Sequence, residues 1–179
     1  MIGRRVGAMA AGWVAAAAVL AAAGEIQVTP VVADGQVSAS FTAASSFGDD
    51  MRDAARSGLL VTFTYSVELR RASTIWLDRT LGSATVASSV KFDNLTGVYQ
   101  VSKLQDGHVV SSERTQDDAQ VRTWMTTFER VPLNATEHLE SNGEYYVRVR
   151  LQSSPKLTFA LWPWAGDTAT GRADFTFIR

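Results

Sequence analysis

The sequence predicts a mainly β (α+β) fold: a single antiparallel β-sandwich or curved sheet with two short helices packed on it. Three features favour this class. Several stretches alternate apolar and polar residues with a period of two, as half-buried strands do. Asp-Gly and similar turn signals separate those stretches, and two other segments show the spacing of amphipathic helices. With 179 residues, 46% of them hydrophobic, the chain is long enough to bury a core.

The clearest alternation lies in residues 59–71, which read LLVTFTYSVELRR. Every odd position from 59 to 69 is apolar, and all even positions from 62 to 70 are polar. We therefore expect the odd positions to face the core and the even ones to form the solvated back of a sheet. On that back, the end formed by Glu68, Arg70 and Arg71 is the best candidate for a contact surface.

Other strands are predicted by the same alternation. They are two runs flanking Asp34-Gly35 within residues 25–43, a strand with residues 86, 88, 90 and 92 on one face, its return at 98–103 after a turn at 93–97, a run following Asp106-Gly107, and residues 143–152, 156–162 and 173–179. In 143–152 the odd positions Tyr145 to Leu151 are expected to point inward. Tyr146, Arg148 and Arg150 are expected to point outward.

Two segments have helical character. In residues 45–58 acidic residues come early, Arg56 comes late and Gly58 follows, which is the charge order of a short helix with a glycine stop. Its inner stripe would be Phe47, Met51, Ala54 and Ala55. A second helix is expected to start near Thr115, with Asp118 in a capping-box-like position, and to end at Pro132. Its inner stripe would be Val121, Trp124, Met125 and Phe128.

The N-terminal segment has the three parts of a secretory signal peptide. Arg4 and Arg5 precede an apolar run from Val6 to Ala23, which ends in small residues. We expect residues 1–24 to be this signal and residues 25–179 to form a single β-rich domain, exported to the periplasm or cell envelope. The alternative is a retained anchor, since the run approaches the roughly 18 residues that a span needs. The membrane would then be contacted only through this segment.

Composition narrows the chemistry. The chain has no cysteine, which excludes disulfides and thiol catalysis. Removing Arg4 and Arg5 changes the net charge to about 15 − 18 = −3, which argues against a nucleic-acid partner. His108 and His138 lack metal-ligand spacing, and neither a G-x-S-x-G motif nor a glycine-rich phosphate loop is present. We therefore expect no metal, no cofactor and no enzymatic activity; a hydrolase whose carboxylates converge only in the fold is a weaker alternative.

The first candidate site is a set of charged residues on the outer face of two long strands. Glu68 and Arg70 lie on one strand, and Arg148 and Arg150 lie on the other. If the strands are neighbours, opposite charges would pair across them and stabilise the sheet. The functional alternative is that the arginines, together with Arg71 and Arg79, clamp a carboxylate or phosphate.

Tryptophans form the second candidate site. Trp162 and Trp164 flank a proline, and Trp76 lies in a short break after the long alternating strand. Exposed aromatic side chains of this kind stack on sugar rings or anchor a protein partner. The alternative is that they close the end of the core.

Part of the chain resembles a family of bacterial exported proteins known only as a domain of unknown function. The shared pattern is an acidic short helix, then Ser-Gly-Leu at 57–59, a strand ending Val-Glu-Leu-Arg-Arg at 67–71, Trp76 with Asp78, and a hairpin with Phe92, Asp93, Leu95, Thr96 and Tyr99. It is specific between residues 47 and 101. The resemblance implies export and a compact β-rich domain, and it implies no established activity, cofactor or catalytic residue.

Together these patterns favour a non-catalytic periplasmic or cell-envelope domain that binds a protein or an envelope polymer. The alternative is a carrier of a small amphipathic or lipid-like ligand, held between the sheet and the helix with Trp124, Met125 and Phe128. An apolar cavity of a few hundred cubic ångströms between helix and sheet would favour the carrier. A solid core with an exposed aromatic patch would favour the partner-binding domain.

Overall fold

A computed structural model of the chain describes residues 26–73, 78–153 and 169–178. The predicted N-terminal signal, the strand candidate 156–162 and the three tryptophans Trp76, Trp162 and Trp164 lie outside the described residues. Within them the elements, in chain order, are β1 (Gln27–Ala33), β2 (Gln36–Thr42), α1 (Asp49–Arg56), β3 (Val61–Arg71), β4 (Arg79–Asp93), β5 (Val98–Gln105), β6 (His108–Thr115), α2 (Asp118–Thr126), β7 (Thr127–Ala135), β8 (Gly143–Ser153) and β9 (Thr170–Phe177).

The strands form two antiparallel sheets. One has three strands in the order β1-β2-β7, and the other has six in the order β6-β5-β4-β3-β8-β9. The inner faces of both sheets contribute to one hydrophobic cluster, to which the two helices also add residues. The predicted mainly β, sandwich-like fold with two packed helices is therefore confirmed. Because the sheets differ in width, the wider one extends past the narrower one. The groove described below lies where this overhang begins.

Two of the predicted hairpin turns owe their geometry to Asp-Gly pairs. Asp34 and Gly35 have φ angles of 52° and 73°, and Asp106 and Gly107 have φ angles of 48° and 83°. Positive φ at both central residues is the mark of the tight turn that matches strand twist, and aspartate and glycine tolerate it best. The turns join β1 to β2 and β5 to β6, as predicted.

The alternation in β3 creates the centre of the core. Its odd residues from Val61 to Leu69 are at most 1% exposed, so the prediction for this face is confirmed. Leu59 does not share this burial and is 44% exposed, because the strand begins only at Val61. The even positions from Thr62 to Arg70 lie on the opposite face and are partly exposed.

Strand β4 is longer than the sequence pattern indicates. It begins at Arg79 rather than near Val86, because Arg79 and Thr80 pair with Arg71 and Arg70 at the end of β3. Their polar side chains give no alternation from which this part of the strand could be predicted. Gly82 allows β7 to cross at close range, since a Cβ there would overlap the carbonyl of Leu133. Further along, the buried hydroxyl of Ser88 donates a 2.9 Å hydrogen bond to the carbonyl oxygen of Met125 in α2.

Helix α1 follows the sequence prediction closely. Asp49 and Asp50 occupy its first turn, Arg56 lies in its last turn, and Gly58 follows with a φ angle of 87°. Ala55 is buried as part of the inner stripe. Phe47 is also buried, but it lies before the helix begins.

The second helix differs from its prediction at both ends. The N-cap is Asp117, whose carboxylate accepts a 2.8 Å hydrogen bond from the backbone N–H of Ala119, so Thr115 does not cap the helix. The helix ends at Thr126 rather than near Pro132, and Phe128 belongs to β7. Tertiary pairing overrides the helical spacing here, because β7 pairs with β2 and Phe128 stacks on Phe41 at 4.8 Å.

Neither described helix has the length and apolar character needed to cross a membrane.

Pro132 lies within β7, which is an edge strand of the narrower sheet. Proline is tolerated in such a strand, because one side of β7 has no partner strand among the described residues.

Candidate functional site

The charged residues predicted on the outer face are brought together. Glu68 and Arg148 are register partners on β3 and β8, and Arg148 Nη2 lies 2.5 Å from Glu68 Oε2. Arg70 Nη1 is 3.7 Å from the same oxygen, and Arg70 Nη2 donates a 2.8 Å hydrogen bond to the carbonyl of Asp78. One carboxylate therefore contacts two arginines: Arg148 across the strand pair, as expected of a stabilised sheet, and Arg70 on its own strand.

Tyr146, predicted to face solvent, is only 3% exposed although it lies on this outer face. Its ring is covered by the Arg172 guanidinium, whose central carbon lies 3.8 Å from the ring centroid. Its hydroxyl donates a 2.7 Å hydrogen bond to Asp78 Oδ2. This hydrogen bond is the main cause that lowers the pKa of Asp78, and a hydrogen bond from the Ser73 backbone N–H is the second. Burial raises the pKa of Tyr146.

The remaining predicted arginines are arranged differently. Arg71 makes a two-pronged contact with Glu140, with N–O distances of 2.5 and 2.6 Å. Arg150 is exposed and is a register partner of Ser66 and Thr170. Because Arg70, Arg71 and Arg148 already contact carboxylates of the protein, this face resembles a paired network more than an open anion clamp.

A groove lies elsewhere, at the open edge of the sandwich. It has a volume of about 290 Å³ and is bordered by α2, β7 and the inner face of β5 and β6. Trp124, Phe128 and Val110 provide apolar walls, and Lys103 and Glu129 provide charge. Its size is near the lower end of the range for small-ligand sites, roughly 300–1,000 Å³.

Lys103 is the distinctive residue of the groove. It shares the inner face of β5 with Tyr99 and Val101, both buried. Its ammonium lies 5.1 Å from the centroid of the Trp124 ring and 5.0 Å from that of the Phe128 ring. These distances allow cation–π attraction to both rings. Nζ also donates a 2.6 Å hydrogen bond to the carbonyl oxygen of Thr127.

The electrostatics of Lys103 reflect its partial burial. Desolvation lowers the pKa of Lys103 below its ordinary value of 10.5, while Glu129 and Glu113 act in the opposite direction. A charged amine between two aromatic rings is incompletely hydrated and retains hydrogen-bonding capacity, because an ammonium has three donors. The groove thus combines an apolar wall with a fixed donor.

Trp124 adds a second polar feature. Its indole nitrogen is buried and has no hydrogen-bond partner among the described residues. A buried indole N–H normally has a partner, and leaving it unpaired carries an energetic cost. The Trp124 indole N–H is therefore a hydrogen-bond donor that the described residues leave unpaired.

The sequence contained a signal for Lys103 that the strand prediction did not use. Position 103 follows 99 and 101 on an otherwise apolar face. A lysine on the inner face of a strand is unusual and indicates either a buried partner or an opening in the core. Trp124 and Phe128 were identified from sequence as possible ligand contacts, although through a single helix rather than a helix followed by a strand.

The described part of the chain contains few side-chain groups of the kind that bind metals or form buried carboxylate pairs. No group of three or more histidine, aspartate or glutamate residues there could hold a metal ion. The buried polar residues in these ranges are Ser88 and Thr126, so no pair of buried carboxylates lies in a cleft among them. The early acidic residues of α1 are explained by their position at a helix N-terminus.

Comparisons with known proteins place the chain in a family. No curated protein and no solved structure matches it. A family model described as "Domain of unknown function (DUF4390)" matches residues 22–157. This match covers most of the chain, including the segment between 47 and 101 whose motifs resemble an uncharacterised family. The chain therefore belongs to the DUF4390 family of domains of unknown function.

Proposed function

We propose that the protein is a non-catalytic binding domain of the periplasm or cell envelope, and that it holds a small amphipathic ligand in the groove beside Lys103. The observation that carries this proposal is the groove of about 290 Å³ between α2, β7 and the wider sheet, with an apolar wall and a half-buried amine. The proposal of export rests on the N-terminal sequence, in which Arg4 and Arg5 precede an apolar run.

The sequence pattern favours a protein or polymer partner over a small ligand, and the structure is the reason for preferring the small ligand here. The sequence favours a protein or polymer partner on the arginine face, but Arg70, Arg71 and Arg148 there already contact Asp78, Glu140 and Glu68 respectively. The groove combines a suitable volume with apolar and polar walls. The small-ligand alternative is therefore the better supported of the two.

The lining indicates the chemistry of the ligand. Trp124, Val110 and Leu104 would contact an apolar chain, and Lys103 would donate to an oxygen of the polar head. Glu129 also lines the groove and disfavours a head group with several negative charges. A chain with one carboxylate or a neutral carbonyl head fits this combination best.

The first experiment is native mass spectrometry of the protein purified gently from the envelope fraction of its host. A small molecule that is released on denaturation is expected. The Trp124→Ala variant should lose it, whereas Leu95→Ala should retain it, because Leu95 is 98% exposed in the turn between β4 and β5.

A titration with dodecanoate then tests the role of the amine. Lys103→Met preserves most of the side-chain volume but removes the donor, and we expect about tenfold weaker binding, as for one charge-assisted hydrogen bond. Lys91→Met is the matched control, since Lys91 is exposed on β4. Absence of both a co-purifying molecule and a dodecanoate response would reject the groove as a ligand site.

A further inference from the structure

Among the residues that the structure describes, the wider sheet has an edge strand, β6, that pairs with β5 alone. Six of the eight residues of β6 are exposed. At the other end of the sheet, the backbone carbonyl of Ile26 lies over the buried face of β9, close to Gly171. An unpaired edge presents a row of backbone N–H and C=O groups that can accept another strand.

The two halves of β6 differ in the side chains that limit pairing at this edge. The second half contains Glu113 and Arg114, and a strand that placed like charges opposite these residues would be repelled. The first half contains Val109 and Val110, which are 63% and 60% exposed. Neither proline nor lysine, two common edge-blocking residues, is present in this strand. The features that restrict pairing at this edge are therefore the charges of the second half and a register irregularity at Val110.

The first half of β6 is continuous with the groove. Val110 and Leu104 are both part of the groove wall. A strand added outside β6 would direct alternate side chains to the face on which the groove opens. Backbone pairing would then supply affinity, and side-chain contacts beside the groove would supply selectivity.

We propose that β6 accepts an extended segment of a partner protein as a seventh, antiparallel strand. The segment has an acidic residue opposite Arg114, a basic residue opposite Glu113 and apolar residues opposite Val110 and Val109. Read in its own chain direction, it has the pattern acidic-basic-polar-polar-apolar-apolar. This protein partner is distinct from the small ligand of the groove, so the proposal goes beyond the proposed function.

The test uses a capped peptide, Thr-Asp-Lys-Thr-Thr-Val-Val-Thr, and a control peptide in which only the aspartate and lysine are exchanged. Binding to the protein as its host produces it is followed by NMR shifts of β6 amides and by their protection from hydrogen exchange. We expect the first peptide to bind about fivefold more tightly, because two cross-strand ion pairs each contribute a fraction of a kcal/mol. The doubly exchanged protein, Glu113→Arg with Arg114→Glu, should reverse this preference.

Single variants separate this surface from the groove. Val109→Asp should weaken peptide binding at least tenfold, whereas Leu95→Asp adds the same charge at another exposed apolar residue and should leave it unchanged. Trp124→Ala should remove the groove ligand and leave peptide binding intact. The two proposals can thus fail independently.

Three outcomes would overturn the β6 proposal. One is an absence of β6 shifts with either peptide. Another is equal binding of both peptides, which would show that Glu113 and Arg114 set no register. The third is a concentration-dependent dimer that Val109→Asp dissociates, since a second copy of the chain would then occupy the edge.

Discussion

Glu68 and Arg148 lie opposite one another on β3 and β8, and their side chains are joined at 2.5 Å on a face that remains partly open to water. Arg70 shares the same carboxylate at 3.7 Å. Two guanidinium groups are therefore held near each other by a single negative charge. The pairing explains why alternating charges on this face indicate sheet stabilisation better than they indicate a ligand site.

Neutralising Glu68 should destabilise the sheet. In Glu68→Gln, Arg70 and Arg148 lose their shared counter-ion and repel each other, and we expect the free energy of unfolding to fall by about 1 kcal/mol at low salt. Urea denaturation of Glu68→Gln, Arg148→Gln and the double variant would measure the coupling. Additive single effects would contradict the pairing, and added salt should reduce the coupling.

Ser88 links the wider sheet to α2 through a buried hydrogen bond. Its hydroxyl donates to the Met125 carbonyl at 2.9 Å, at the end of a helix where carbonyls lack helical partners. Ser88→Ala should lower the free energy of unfolding by about 1–3 kcal/mol, because the buried carbonyl is left unpaired. Ser89→Ala is the control, since Ser89 lies on the other face of β4 and is partly exposed. Equal losses in the two variants, measured by denaturant titration, would argue against this role.

Local features of the fold could be predicted from sequence. The Asp-Gly turns and the alternation in β3 depend on residues within a few positions of each other, so the sequence pattern contains nearly all the information. The end of α2 does not. Whether residues after Thr126 continue the helix depends on pairing with β2, more than 80 positions earlier in the chain, and helical spacing alone cannot report that competition.

In the candidate sites, too, local features could be predicted from sequence, whereas contacts between distant residues could not. Glu68, Arg148 and Arg150 could be placed on outer faces from alternation, but their partners depend on strand order, which alternation does not specify. Tyr146 was expected to be exposed, because neither Asp78 nor Arg172 is near it in sequence. Lys103 has a local anomaly that marks it, whereas its two aromatic neighbours come from α2 and β7 and are assembled only by folding.

Asp78 should contribute to resistance against acid. Its pKa is lowered in the folded protein, first by the hydrogen bond from Tyr146, so its contribution to stability is present above its ordinary pKa of 3.8 and is lost as the pH falls through the folded value. Tyr146→Phe should therefore reduce stability most above that ordinary pKa, and the difference from wild type should shrink in stronger acid. Denaturation of both proteins across the acid range, with Asp78→Asn as a non-titrating reference, would measure this. A difference that does not vary with pH would assign the effect to packing alone.

Gly82 should be intolerant of any side chain. A Cβ at this position would overlap the carbonyl of Leu133, so Gly82→Ala must push β7 away from β4. We expect a loss of roughly 2–4 kcal/mol, comparable with other strained core substitutions. Gly48→Ala is the matched control, because a Cβ at Gly48 has no neighbour within 4 Å. Thermal denaturation that gives equal midpoints for the two variants would reject the close crossing of β7 over β4.

Lys103 should give the protein a distinctive response to alkaline pH. Burial lowers the pKa of Lys103 in the folded protein below the ordinary value of 10.5. Between those two values the unfolded chain keeps a proton that the folded protein has released, so the stability contributed at this position rises with pH. Below the folded pKa both states are protonated, and the contribution is constant.

The Lys103→Met variant isolates this effect, because methionine does not titrate. The free energy of unfolding of wild type, minus that of Lys103→Met, should be flat at neutral pH and then increase towards pH 10.5, by at most about 1.4 kcal/mol per pH unit. Subtraction cancels the tyrosines that titrate in the same range. A difference that falls with pH would mean that the attraction of Glu113 and Glu129 outweighs the effect of burial on Lys103.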